Sequence, residues 1–290
     1  MDCLQRVVGW LWSETYNQCS MKTELIGDSL LRVASWEREL PWLWHGFSTR
    51  LGGVSVVYGA EDERGGDLNL GFTVEDEAER VRENRRRLVE RATGSAETRL
   101  AMIRQVHSGV SVELRVDEPL WSDASEADGV MSNQAGVLLA VQTADCIPVL
   151  VADPDRRVVA AFHAGWRGTA QRIVEHGVAQ MRARFGCAPE RLVAAIGPGI
   201  GGCCYTVGEE LQARFGEQFA YAQTLFRRTA RGLFLDLTEA NRRQLLEAGV
   251  LSDRIEQVGG CTACQPERFF SHRAQRGRTG RMMSVIGIAP

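Results

Sequence analysis

No segment of this sequence approaches the roughly 18 consecutive apolar residues that a membrane-spanning helix requires. Its first residues also lack the charged, apolar and small-residue order of a secretory signal. A soluble, cytoplasmic protein with no membrane partner is therefore expected. There is no internal repeat, no low-complexity tract and no linker that would cut the chain in two. Excess charge is lacking as well: 34 basic against 37 acidic residues leave a net charge of −3. A broad cationic field for nucleic acid is thus excluded, although a local pocket of arginines for a small anion is not. Eight cysteines without an export signal read as reduced thiols or ligands rather than as a disulfide framework. Histidine is scarce at five residues, so the position of each one matters.

What is present suffices for an ordinary core, since 44% of the 290 residues are hydrophobic and 24% charged, and folding needs no metal. Residues 1–22 show no period and precede Met21, which offers an alternative start; they read as a dispensable extension to a single catalytic domain over 23–290. Pro41 and Gly52-Gly53 punctuate a strand and a glycine-rich turn, and the polar stretch 59–67 reads as a mobile loop. Residues 74–93 carry Glu and Arg around Val81, Leu88 and Val89, an amphipathic helix ending near Gly94. Short β-branched runs at 136–141, 147–152 and 158–162 read as buried strands. A helix over 169–186 follows, with Ile173, Val174, Val178 and Met181 at helical spacing. Residues 192–196 form a further strand and 207–215 a helix, and Asp236 with Glu239 makes a capping box for a helix running to Gly249.

Two histidines fall beside glycines at strand ends, His107 in IRQVHSG and His163 in AAFHAGWRG, and Cys146 sits at a proline-flanked break in LAVQTADCIPVLV. Two imidazoles and a thiolate suit zinc. Three protein ligands with an open fourth place make a catalytic site, in which bound water is acidified towards neutrality. Their spacing matches no short ligand motif, so two other readings stand beside this one. Cys146 and His163 are a buried thiol and a hydrogen-bonded core imidazole, or they are the nucleophile and base of a metal-free cysteine hydrolase. Cys261 and Cys264 form a C-X-X-C that Cys203 and Cys204 would complete as a second zinc site. A redox pair is the alternative; adjacent cysteines seldom both face one ion, so a structural role for these thiols is the plainer reading. GPGIGG lacks the Lys-Ser/Thr of a P-loop and reads as a tight turn beside the pocket.

In order along the chain stand HGFSTRLGGVS, QVHSG, ADGVMSN, QTADCIPVLV, HAGWRGT, GPGIGGCCYTVG and FFSHRAQRGRTGR. Together, over about Trp42 to Ile288, they resemble the laccase-domain family. Its members were once named multicopper polyphenol oxidases and are now regarded as purine nucleoside phosphorylases with adenosine deaminase activity. The resemblance implies an α/β (α+β) fold of mixed β-sheets packed together and flanked by helices, with kinship to cysteine hydrolases. It also implies metal ligation by His107, Cys146 and His163. Purine nucleoside and phosphate are then the implied partners, with cleavage of S-methyl-5′-thioadenosine and deamination of adenosine as further activities. Zinc is the expected metal; the same ligands also suit a single copper. Five histidines without a His-X-His segment cannot build the clusters of a multicopper oxidase.

Phosphorolysis needs convergent cations and hydroxyls, for which Arg50, Arg167, Ser271 and Arg273 are the candidates in the matching motifs. Deamination needs a proton shuttle. The His-X-Glu with Pro-Cys-X-X-Cys signature of cytidine-type deaminases is absent, which leaves Asp145 beside Cys146, and Asp128, the latter equally readable as a turn residue. A copper-dependent polyphenol oxidase and a non-catalytic nucleoside-binding protein are the remaining alternatives. Oligomeric state is not legible in the sequence.

Overall fold

The computed structural model describes residues 29–59, 65–115 and 125–290. The proposed extension 1–22 and the centre of the polar loop, 60–64, lie outside them. In the first half of the chain the strands are β1 (Leu30–Leu31), β2 (Leu43–Ser48), β3 (Arg99–Met102), β4 (Ser111–Glu113), β5 (Gly129–Ser132), β6 (Val137–Thr143) and β7 (Ile147–Asp153). The second half adds β8 (Val158–Ala164), β9 (Val193–Ile196), β10 (Thr206–Val207), β11 (Phe226–Thr229), β12 (Gly232–Leu235), β13 (Ile255–Gln257) and β14 (Met282–Ile288). The helices are α1 (Ala34–Glu39), α2 (Ala78–Thr93), α3 (Trp166–Ala170), α4 (Ile173–Phe185), α5 (Glu209–Gln218) and α6 (Leu237–Glu247).

Two mixed sheets carry the fold, one ordered β1-β2-β14-β6-β3 and the other β13-β9-β7-β8-β5-β4; β10, β12 and β11 form a small third sheet. Successive side chains on a strand face opposite ways, and the core divides accordingly. Leu139 and Val141 of β6 meet Leu150 and Ala152 of β7 between the two sheets, with Phe47 and Ile286. Leu138 and Ala140 of β6 face outwards, onto Leu88 and Val89 of α2. Val149 and Val151 of β7 face the other way, onto Ile173, Val178 and Met181 of α4 and Leu245 of α6. The layers therefore run helix, sheet, sheet, helices. Both faces of the central strands are covered, so β6, β7 and β8 are spelled as unbroken apolar runs rather than as alternating ones. The packing is tight enough that Gly177 in α4 rests on the Phe162 ring of β8, where an added Cβ would lie 2.2 Å from a ring carbon.

Three expected elements differ in detail. The helix expected over 169–186 is two helices, because Arg172 takes a left-handed conformation (φ 57°) and ends α3 before α4 begins. Residues 206–207 pair as a strand with β12, and the helix expected from 207 starts at Glu209. At Asp236 half of the capping box forms: its side chain accepts the Glu239 N–H at 2.9 Å, while the Glu239 carboxylate turns to Arg242 and Arg243.

One buried group gives the fold a pH dependence. His45, on β2, is fully buried against Trp36, and its Nε2 accepts the Val33 N–H at 2.9 Å. The neutral ring therefore carries its proton on Nδ1, 3.7 Å from a Glu37 carboxylate oxygen. Burial lowers the imidazole to about 4, although the Glu37 charge opposes the shift. The folded value lies below the unfolded one of about 6.5. The contribution to stability is thus complete above that pH and is lost as pH falls towards 4. Urea unfolding is expected to show that wild type loses about 2 kcal/mol more between pH 7 and pH 5 than His45→Gln does; equal losses would contradict this assignment.

Candidate metal centre

The turn Ala144-Asp145-Cys146 carries the chain out of the first sheet, at the end of β6, and into the second, at the start of β7. Antiparallel pairing of β7 with β8 sets Pro148 opposite His163 and so brings Cys146 to the His163 end of β8. His107 arrives from the loop between β3 and β4. Gln105 holds that loop against β6 in place of a strand, accepting the Gln142 N–H at 2.7 Å and donating to its carbonyl at 2.8 Å. One ligand atom from each of His107, Cys146 and His163 lies within 4.8 Å of the others, and Cys146 Sγ is 3.9 Å from His107 Nε2. The two imidazoles stand edge to face, 4.9 Å apart. Donors each about 2.0–2.3 Å from a shared ion at tetrahedral angles are about 3.6 Å apart, so the set fits a metal of zinc's size.

Asp128, fully buried at the start of β5, fixes this geometry. Its carboxylate accepts the backbone N–H groups of Val106 (3.2 Å), His107 (3.0 Å) and Ser108 (2.5 Å), the Ser108 hydroxyl (2.8 Å) and His163 Nδ1 (2.8 Å). Burial alone would raise the carboxyl, but the bonds from His163 and Ser108 outweigh it and hold the group below its ordinary value. With Nδ1 engaged by Asp128, Nε2 is the nitrogen left to face a metal, the arrangement that orients metal-bound imidazoles once Nε2 gives up its proton. Burial likewise opposes ionisation of Cys146 and His163, yet each stabilises the other's charge, with His107 helping the thiol and Asp128 the ring. The thiol falls to about 6 and the imidazole rises to about 9. His107 and Asp145 both have positive φ, 60° and 90°. Strained backbone of this kind persists where surrounding bonds over-determine it, commonly at functional sites.

A cavity of about 670 Å³ opens onto the trio, within the usual range for small-molecule sites. Of the expected residues, Asp145, Arg167 and Arg273 line it together with His107, Cys146 and His163. The Asp145 carboxylate accepts Thr262 Oγ1 at 2.6 Å and the Arg273 N–H at 2.7 Å. Arg50 and Ser271 are placed elsewhere. Arg50 makes a two-point pair with Asp67 (2.6 and 2.8 Å), donates to the Tyr58 and Pro266 carbonyls and stacks on Phe270. Ser271 is fully buried and accepts the Ala274 N–H within its own turn. Asp128 lies behind the wall.

Sequence reasoning did not single out Trp166, Tyr205, His272 or Arg281, all on the cavity wall. Trp166 and His272 are chain neighbours of Arg167 and Ser271 in motifs already noted, and that adjacency was the available signal. Among the described residues, Arg167, Arg273 and Arg281 have no carboxylate partner; Arg273 instead donates to Thr206 and lies over the Tyr205 ring. Such cations on a concave wall suit an anionic ligand.

The family model described as "Multi-copper polyphenol oxidoreductase laccase" matches residues 44–289. The chain is 38% identical over 251 residues to the purine nucleoside phosphorylase YlmD of Geobacillus stearothermophilus, covering 83% of this chain and 91% of that one. It is 41% identical over 244 residues to a purine nucleoside phosphorylase of Deinococcus radiodurans, covering 84% and 88%. The crystal structure of YlmD from Geobacillus stearothermophilus superposes with a TM-score of 0.81 at 35% identity, over 93% of this chain and 99% of that one.

Gly165 has an ordinary φ but no room for a side chain: a Cβ there would lie 2.9 Å from Cys146 Sγ and 3.0 Å from His107 Cδ2. Gly165→Ala should therefore fold and weaken metal binding at the trio about tenfold, the equivalent of a modest overpacking cost. Titration of the metal-free variant with zinc against a competing chelator reads this directly, and an unchanged affinity would contradict the assignment.

Proposed function

This chain belongs to the multi-copper polyphenol oxidoreductase laccase family, and from that premise we propose that it is a metal-dependent purine nucleoside phosphorylase of the cytoplasm. The observation that carries the reading is that a two-histidine, one-cysteine ligand set shares a single cavity with arginines that have no carboxylate partner among the described residues. The relatives' names supply the substrate class.

In phosphorolysis a phosphate oxygen bonds to the ribose C1′ as the C1′–purine bond breaks, and the departing base takes up a proton. Arg167, Arg273 and Arg281 hold the phosphate and offset its charge, as arginine forks do. Trp166 and Tyr205 offer flat surfaces for the base. Tyr205, whose phenol burial and the Cys146 charge push up to about 12, keeps its proton available for a hydrogen bond to that base. His107, Cys146 and His163 hold the metal, zinc on this reading, which supplies Lewis acidity when bound. Arg50 and Ser271 act on the site from outside it, by fixing the loops that carry Arg273. The proposal extends to cleavage of S-methyl-5′-thioadenosine and deamination of adenosine in the same pocket; of the two candidate proton shuttles, Asp145 is the one on the wall.

A second reading has one observation in its favour: Cys146, His163 and Asp128 stand in the order of a nucleophile, base and orienting carboxylate. Alkylation would inactivate that metal-free hydrolase, whereas chelation would leave it active.

Purified protein incubated with adenosine and phosphate should yield adenine and ribose 1-phosphate, with inosine as the deamination product, and Cys146→Ala should yield none. Arg167→Ala is expected to raise the KM for phosphate about tenfold, with a smaller effect on nucleoside, from the loss of a charged hydrogen bond of about 1.5 kcal/mol or more. Oxygen consumption with diphenols, saturable nucleoside binding without turnover, or full activity of Cys146→Ala would each overturn the proposal.

A further inference from the structure

The loop that follows β9 and the loop that follows β13 leave the same edge of the second sheet, because those two strands are parallel neighbours. Their pairing continues past the strands through the Gly199–Cys261 bridge, with the Thr262 N–H donating to the Gly199 carbonyl at 3.0 Å. Each loop then closes a tight turn, Cys204 N–H to the Gly201 carbonyl (2.9 Å) and Cys264 N–H to the Cys261 carbonyl (3.2 Å). These turns bring four sulfurs together. Cys203, Cys204, Cys261 and Cys264 have their Sγ atoms within 4.8 Å of one another, with Cys264 3.5 Å from Cys203 and 3.3 Å from Cys204. Adjacent cysteines rarely face one ion, but here the turn at Gly201 makes them do so.

Four thiolates about 2.3 Å from a central ion stand about 3.8 Å apart in a tetrahedron, close to the separations found here. Cys261 is buried, and its sulfur also accepts the Gly201 N–H at 3.2 Å, the kind of backbone donor that stabilises a ligating thiolate. Cys264 is exposed, which leaves an entry path for an ion. All-sulfur tetrahedral sites select zinc or iron, and a closed four-ligand set is structural rather than catalytic.

We propose that Cys203, Cys204, Cys261 and Cys264 form a second, structural zinc site that staples the two loops together. Binding requires no redox change: the thiols release their protons to solvent as the sulfurs coordinate. The staple bears on the cavity through two contacts to a single residue. Thr262, inside the C-X-X-C, donates to the Asp145 carboxylate at 2.6 Å, and the Ile200 N–H donates to the Asp145 carbonyl at 2.8 Å. Fixing the loops thereby fixes the strained Asp145 turn that presents Cys146 to the catalytic cavity.

The test uses the full chain carrying Cys146→Ser, which removes the thiolate of the first centre, reduced and stripped of metal. Titration with cobalt(II) should give one equivalent of bound ion with intense sulfur-to-cobalt absorption in the near ultraviolet and tetrahedral bands in the visible. Zinc should abolish these bands stoichiometrically. Adding Cys264→Ser, a change at an exposed position, should weaken cobalt binding and lower the sulfur-to-cobalt absorption by the share of one thiolate, and leave the circular dichroism spectrum unchanged. No sulfur-to-cobalt absorption in the Cys146→Ser protein would overturn the proposal. An unaltered spectrum after Cys264→Ser would do the same, as would peptide maps showing a disulfide to Cys264 in a protein that still binds no cobalt after reduction.

Discussion

One buried carboxylate organises the centre of this molecule. Removing the charge of Asp128 from water is costly unless every lone pair is matched by a donor. Here three consecutive backbone N–H groups, a hydroxyl and an imidazole converge on it. Satisfying Asp128 forces the 106–108 loop to curl round the carboxylate, which holds His107 at positive φ and turns its ring towards Cys146. The same carboxylate holds Nδ1 of His163 and leaves Nε2 facing the cavity. A residue behind the cavity wall thus sets the direction of two of the three side chains in the candidate metal centre.

The two-sheet core supplies the rest. Cys146 stands where the chain passes from one sheet to the other, so its position is fixed by the packing of both layers, and the β7–β8 register places it beside His163. Asp145 ties that crossing to the loops bearing Thr262, Ile200 and Arg273. The cavity wall is therefore built from segments distant in sequence, cross-tied at their tips, while the strands beneath them are closed on both faces. Rigid strands under tied loops hold the two histidines, the cysteine and the arginines of the cavity wall at fixed separations, as a functional site requires.

The sheets were legible in the sequence where both faces are covered, since β6, β7 and β8 are spelled as uninterrupted apolar runs. The α2 helix was legible as well, ending at Gly94 in the left-handed conformation. The break at Arg172 was not, because the apolar spacing continues through it and only the backbone conformation of one non-glycine residue marks the boundary. Residue type and position at strand ends suggested His107, Cys146 and His163, the motif resemblance strengthened the set where spacing could not, and the structure brings them together. Arg50 is placed differently: its motif suggested an anion contact, and its guanidinium pairs with Asp67 away from the cavity wall, a pairing that no local pattern reveals. Asp128 was read as either a proton shuttle or a turn residue; the five donors that converge on its carboxylate come from segments no local pattern connects. The four cysteines were discounted on local grounds, because the turn that lets Cys203 and Cys204 face the C-X-X-C depends on parallel pairing between β9 and β13.

The most direct test of this account is the zinc affinity of the His107–Cys146–His163 centre in Asp128→Asn, measured in a Cys264→Ser background with folding verified by circular dichroism. Asparagine keeps the shape and one acceptor oxygen, but an amide nitrogen turned towards His163 Nδ1 moves the ring's proton to Nε2, where the metal must bind. If Asp128 orients the centre, affinity should fall about 10–100-fold in a folded protein; an affinity equal to that of the parent would contradict the account.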